Sequence, residues 1–220
     1  MDDTSSFRSG PKDARLRSRT TMEGYDRAPH RAFMRALGVD DEDIARPFVG
    51  IVGPSAEVTP CNLTIPAQME AAKQGVREAE GTPIAFTTIS VSDGFSMNHQ
   101  GMKFSLISRE IIADSIEAVT RAHCYDALVG FGGCDKTSPG VIMGLVRLNV
   151  PSVFLYGGSA LPGRYRGRDV TMLDTYEAVG GYLVGTVSEE ELEEMGRVCL
   201  PTGGACGGQF TANTMGMVSE

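Results

Sequence analysis

FVGIVGPSAEVTPCNLTIPAQMEAAKQGV, residues 48–76, sets the architecture of the chain. Phe48 to Val52 is a short apolar run of strand length. The loop from Gly53 to Asn62 follows it, rich in Gly, Pro and polar residues. Ile65, Met69, Ala72 and Val76 then recur at helical spacing until Gly81. The unit is one strand, one loop and one helix.

Downstream the unit repeats. Ile84 to Val91 (IAFTTISV) has the β-branched content of a strand, and after a long loop a helix runs through Ile107 to about His123. Asp126 to Phe131 with Val141 to Leu148 forms a third pair, and Ser152 to Tyr156 with Leu173 to Leu183 a fourth. Ser188-Glu189-Glu190-Glu191 opens a further helix as a capping box, ending near Arg197. Upstream, Pro29 to Leu37 reads as a short helix closed by Gly38. Strand and helix alternating at this pitch predict an α/β fold, a parallel sheet flanked by helices on both faces. Residues 1–25 are expected to be a mobile arm and 26–220 one domain. The apolar and helix-favouring run from Phe210 to Glu220 has no stop signal, so the sequence is expected to be cut inside an element.

With 220 residues, 41% hydrophobic and 22% charged, the composition is that of a globular chain with a sizeable core. A net charge of −8 gives no general attraction to polyanions, which argues against nucleic acid as a partner. No stretch approaches the roughly 18 apolar residues of a membrane helix, and residues 1–31 lack the apolar core of a secretory signal, so no membrane association is expected. Five widely spaced cysteines, Cys61, Cys124, Cys134, Cys199 and Cys206, argue against a disulfide framework and for reduced thiols in a cytoplasm.

Open parallel sheets bind ligands beyond the carboxyl ends of their strands. The loops there are GPSAEVTPCN, SDGFSMNHQGM, GGCDKTSPG and GGSALPG. No Gly-Lys dipeptide exists for a Walker A loop, and Asp135 stands where a dinucleotide fingerprint needs its third Gly. Ser159 lacks the second flanking Gly of a nucleophile elbow, and neither HExxH nor CxxC occurs. Cys61, Cys134 and Cys206 sit in Gly- or Pro-rich loops, which favours them as ligands over the alternative of small buried apolar residues; Cys124 and Cys199 are assigned to that alternative. Three thiolates without a fourth suit an iron–sulfur cluster with one iron left open. Asp93 and Asp135 are oxygen ligands of the kind magnesium takes, with turn formation before Gly as the plainer role for an Asp. The ammonium of Lys136 would repel a nearby metal, so a metal site needs it neutral or chemically converted; otherwise it is a salt-bridging cation. His99, the acidic run after Ser188, and Arg164, Arg166 and Arg168 read most simply as structural or solvated groups.

TPCN at 59–62, SVSDGFSMNHQGMKFSLISREIIADSIE at 90–117, GGCDKTSPG at 132–140, LYGGSALPG at 155–163 and PTGGACGGQFTANTM at 201–215 together resemble the dihydroxy-acid dehydratase family. Its wider membership includes phosphogluconate dehydratase and sugar-acid dehydratases. The resemblance implies removal of water from a small 2,3-dihydroxycarboxylic acid to give a 2-oxo acid, as in valine and isoleucine synthesis, by a homodimeric enzyme. By motif, Cys61, Cys134 and Cys206 match the cluster cysteines, Asp93 and Asp135 the magnesium ligands, and Lys136 a lysine carried as a carbamate that binds the metal. Cys61-Asn62, where relatives with a four-iron centre tend to have Gly-His, favours a 2Fe–2S cluster. Ser55-Ala56 before Glu57 departs from the usual pair of that loop. Family chains are more than twice as long, and their serine base and a further magnesium-binding Glu lie in a C-terminal domain that has no counterpart up to Glu220. The chain by itself is therefore expected to be inactive. The alternatives are a sugar-acid dehydratase and a non-catalytic iron–sulfur or interaction module.

Overall fold

β-branched and apolar residues alternating with small ones let the central strands bury both faces. The computed structural model describes residues 16–220. Three short helices, α1 (Arg19–Met22), α2 (Ala28–Ala36) and α3 (Asp41–Ala45), lead into β1 (Phe48–Gly53). Helix α4 (Ile65–Glu78) connects to β2 (Thr82–Thr87), then α5 (Asp93–Ser96) and α6 (Lys103–His123) to β3 (Ala127–Gly132). Helix α7 (Thr137–Leu148) connects to β4 (Ser152–Tyr156). A hairpin of β5 (Gly163–Tyr165) and β6 (Arg168–Val170) and the helices α8 (Met172–Leu183), α9 (Glu189–Val198) and α10 (Thr211–Ser219) follow. The described elements thus include the expected α/β alternation. No helix among the described residues is long and apolar enough to cross a membrane.

The main sheet has the order β2-β1-β3-β4, with every pair parallel. Odd and even residues divide between two cores, as period-two alternation requires. Ile51 and Phe131 pack with Ile65 and Met69 of α4 on one face. On the other, Phe48, Val52 and Leu128 pack with Ile112 and Ile116 of α6 and Val141 and Leu145 of α7. Because α4 departs from β1 toward one edge and α7 from β3 toward the other, the order reverses between β1 and β3, leaving a crevice at their carboxyl ends.

Two expectations are corrected. The second strand ends at Thr87 rather than Val91, because its pairing stops where β1 stops, with Gly53 opposite Thr87 and a last bond from Thr88 N to the Gly53 carbonyl. Residues 88–92 therefore enter the loop at the crevice. Of the arm expected over 1–25, residues 1–15 lie outside the described residues; within the rest, Ser18 and Met22 are buried and Tyr25 is fully exposed. Met22 joins the core on the α6 side, and Ser18 N donates to Asp126 Oδ1 at 3.0 Å while Phe48 N donates to Oδ2 at 2.8 Å. The segment around Arg164, Arg166 and Arg168 is a hairpin rather than a loop. Its turn places Arg166 and Gly167 at φ 47° and 85°, as a tight two-residue hairpin requires.

Candidate functional site

Cys61 follows β1 in a short turn, Pro60–Asn62, whose first N–H groups are capped when Thr59 Oγ1 accepts from Cys61 N. Cys134 follows β3, where Thr137 Oγ1 accepts from Gly133 N at 3.3 Å and Cys134 N at 2.8 Å. At Gly133 a Cβ would lie 2.6 Å from the Cys61 carbonyl oxygen, so the two loops touch because no side chain stands between them. The loop after β4 joins them: Gly157 N donates to the Gly132 carbonyl, and the Gly157 carbonyl accepts from Thr64 Oγ1 at 2.8 Å and Gln68 Nε2 at 3.2 Å.

Cys206 arrives from far along the chain. Ser159 and Ala205 form a parallel bridge, with Ala160 N donating to the Ala205 carbonyl and Ala205 N to the Gly158 carbonyl. On the other side Gly204 N donates to the Pro60 carbonyl at 2.9 Å. Gly204 has φ 124°, and a Cβ there would lie 2.5 Å from Ala160 N, so only glycine lets this strand of chain lie between the two loops. Asn213 of α10 then donates from Nδ2 to the carbonyls of Cys206 and Gly208 at 2.6 and 2.7 Å.

These bonds bring Cys61, Cys134 and Cys206 together. Hydrogen bonds from Cys134 and then Cys206, outweighing burial, draw the Cys61 thiol far below its ordinary pKa; the same bonds, with burial, push Cys134 and Cys206 up. Thiols this close oppose one another's ionisation, since like charges brought together in a partly buried site repel. All five cysteines are free thiols. Among the described residues, no group of three His, Cys, Asp or Glu side chains already surrounds a common metal position. The donor set still fits an iron–sulfur centre, which takes cysteine thiolates and whose positive iron would allow all three to ionise together.

Beside the thiols lies a second cluster. Asp93 opens α5, and Ser105 of α6 donates to its Oδ1 at 2.5 Å. Lys136 Nζ lies 3.0 Å from Asp93 Oδ2 and also contacts Asp135. Burial acts to raise the Asp93 pKa, but the hydrogen bonds from Ser105, Lys136 and Asp135 outweigh it and lower the value. For Lys136 burial acts to lower the pKa, and the bonds to Asp135 and Asp93 outweigh it and raise the value. The two carboxylates suit a hard divalent cation, and the ammonium occupies the position such a cation would take.

Both clusters open on one cavity of about 520 Å³, with Cys61, Asp93, Cys134, Asp135, Tyr176 and Cys206 in its wall. A second hollow of similar size beside α10, between Gln209 and Ser219, is lined by no Cys, His, Asp, Glu or Lys, so the ionisable groups lie with the first.

The other singled-out residues have structural partners. His99 braces its own loop, accepting from Gly101 N and pairing with the Phe95 carbonyl. Arg164, Arg166 and Arg168 are exposed and pair with Asp169, Glu191 and Asp174. Cys199 is buried, as expected, but in the cavity wall, 3.6 Å from Met172 Sδ. Cys124 is half-exposed instead of buried, because it ends α6 in the left-handed conformation at φ 55°. Ser105, Thr137 and Asn213, which hold the site together, carried no signal in the sequence beyond membership of the motif stretches.

Comparison with known proteins gives the family. Residues 46–220 match the family model described as dihydroxy-acid/6-phosphogluconate dehydratase N-terminal. The chain is 66% identical over 206 residues to dihydroxy-acid dehydratase 3 of Bradyrhizobium diazoefficiens, covering 94% of this chain and 35% of that protein. It is 57% identical over 206 residues to dihydroxy-acid dehydratase of Pelagibacter ubique, covering 94% and 36%. To that of Natronomonas pharaonis it is 53% identical over 209 residues, covering 95% and 35%. The chain thus spans about a third of the length of the curated relatives it matches.

Proposed function

This chain belongs to the dihydroxy-acid/6-phosphogluconate dehydratase family, and from that footing we propose that it supplies the metal-binding part of a hydro-lyase of the relatives' length. The substrate is a 2,3-dihydroxycarboxylic acid such as 2,3-dihydroxy-3-methylbutanoate, and the product is the 2-oxo acid used in valine and isoleucine synthesis. The reaction breaks the C3–O and C2–H bonds, and the enol so formed tautomerises to the 2-oxo acid. The observation that carries the proposal is the meeting of three loop thiols and the Asp93–Asp135–Lys136 cluster at one cavity.

Cys61, Cys134 and Cys206 would hold a 2Fe–2S centre, and Asp93 and Asp135 a magnesium ion. When bound, these groups supply Lewis acidity at the leaving 3-hydroxyl and at the carboxylate and 2-hydroxyl end of the substrate. Lys136 is held protonated by its two carboxylates. Once Asp93 and Asp135 act as ligands, that hold is released. The ammonium would first give up a proton to solvent, and the neutral amine would then form an N–C bond to carbon dioxide and release a second proton, so that the side chain goes from one positive to one negative charge. Ser105 fixes one oxygen of Asp93, Oδ1, while the other, Oδ2, is the one that Lys136 holds. The base that takes the C2 proton and a further magnesium ligand are assigned to the part of the relatives' length that this chain does not cover, with residues 26–220 as one domain, inactive alone. A cytoplasmic homodimer completes the proposal.

The test uses the full-length protein. Lys136→Ala is expected to abolish magnesium-dependent turnover while leaving the iron–sulfur absorbance largely intact, and Cys134→Ala to remove that absorbance. Loss of the cluster in Lys136→Ala with turnover retained would show the two roles to be exchanged.

A further inference from the structure

Tyr156 ends β4 at the point where the three cysteine loops are tied together. Its backbone pairs with Gly132, two residues before Cys134. The next residue, Gly157, is held by Thr64 from the Cys61 side. Its ring lies against Gly216 of α10, where a Cβ would come within 2.4 Å of ring carbon Cδ2. Asn213, one turn earlier on α10, holds the Cys206 carbonyl. The phenol is thus fixed by neighbours from all three cysteine-bearing segments. Its hydroxyl is shut off from solvent and has no hydrogen-bond partner among the described residues.

A buried hydroxyl left unpaired costs about 1–3 kcal/mol, so its persistence calls for an acceptor. The surroundings identify one. Burial first, and then the neighbouring Cys61, Cys206 and Glu220, push the phenol up to about 12, so two of the three cysteine side chains are among the groups acting on it. Thiolate sulfurs bound to iron keep lone pairs that accept hydrogen bonds, and such bonds help set the potential of an iron–sulfur centre.

We propose that Tyr156 is a positioning residue whose O–H donates to a sulfur of the iron–sulfur centre held by Cys61, Cys134 and Cys206. The inference rests on the cluster assignment above. A donated hydrogen bond withdraws electron density from sulfur and favours the reduced centre, so its removal makes the midpoint potential more negative.

The experiment compares full-length wild-type protein with Tyr156→Phe, both reconstituted anaerobically with iron and sulfide. Phe keeps the ring against Gly216 and removes only the hydroxyl. The expected result is equal iron content, a more negative midpoint potential, and loss of a deuterium-sensitive shift in the iron–sulfur stretching bands of the resonance Raman spectrum. Equal potentials and equal deuterium sensitivity in two loaded proteins would overturn the inference, and would point to Asn213 Oδ1, also buried without a partner, as the acceptor. If Tyr156→Phe fails to load, 3,5-difluorotyrosine at position 156 takes its place. That stronger donor should move the potential positive, and an unmoved potential overturns the inference. Wild-type protein that takes up no iron and sulfide would instead overturn the cluster assignment itself.

Discussion

Gly133→Ala tests the contact on which the site is built. Gly133 has an ordinary negative φ, so alanine suits its backbone, and by the loss of unfolded-state freedom alone the change would stabilise by about 0.4–1 kcal/mol. The added Cβ, however, would lie 2.6 Å from the Cys61 carbonyl oxygen, whereas ordinary contact begins at 3.4 Å, so the loops must part by about 0.8 Å. Neither side yields easily. The turn carrying Cys61 is held by Gly204 N on the Pro60 carbonyl and by Asn62 on the Ala56 carbonyl, and Gly133 is held by Thr137. Overpacking of this kind costs about 1–3 kcal/mol, which set against that gain leaves a net loss of roughly 0–2.6 kcal/mol, about 1.3 kcal/mol at the midpoints. The effect on the site should be larger, since about 0.8 Å between Cys61 and Cys134 exceeds the ±0.2 Å or so that metal ligation tolerates. Gly75→Ala is the control: it stands within α4 with nothing near its missing Cβ, and should gain about 0.5–1 kcal/mol. Denaturant unfolding reads the stabilities, and bound iron with labile sulfide reads the site. If Gly133→Ala gains stability as Gly75→Ala does, and loads to wild-type iron content, the reasoning is refuted.

Ile65→Ala should cost about 2–5 kcal/mol in denaturant unfolding, because this side chain is fully buried and packs where Gly53, Gly133 and Gly157 come closest; a loss below about 1 kcal/mol would mean that the loops close over the gap. Asp174→Ala should show a pH-dependent loss. The Thr171 N–H, followed by Arg168, holds the Asp174 carboxyl below the usual carboxylate range. A depressed folded-state pKa gives stability that is full above the unfolded value of about 3.9 and is lost as pH falls through the folded one. The difference from wild type, read from unfolding midpoints between pH 7 and 2, should therefore shrink on acidification; a constant difference would refute the capping role.

Much of the site was legible in the chain because its signals are local. Apolar residues at period two or 3.6 mark strands and helices wherever they stand, so β1, α4, β3, α7, β4 and α9 emerge close to their observed bounds. Glycine, proline and chemistry-bearing residues directly after apolar runs mark the loops of a parallel sheet, so Cys61, Asp93, Cys134, Asp135 and Lys136 could be expected at one rim. Cys206 was legible as a loop thiol, but its path between the Cys61 and β4 loops rests on backbone bonds to Pro60, Gly158 and Ala160, more than 40 residues away. Distance along the chain hides such bonds from any local reading. The same holds for β2, whose end is set by the length of its partner β1, and for residues 16–25, which are anchored by Asp126. The opposite pKa shifts of the three thiols belong to the same class. The sequence makes Cys61, Cys134 and Cys206 equal candidates, and only their tertiary arrangement makes Cys61 the shared acceptor, because a hydrogen bond depends on the separation and direction of atoms that the chain brings together by folding.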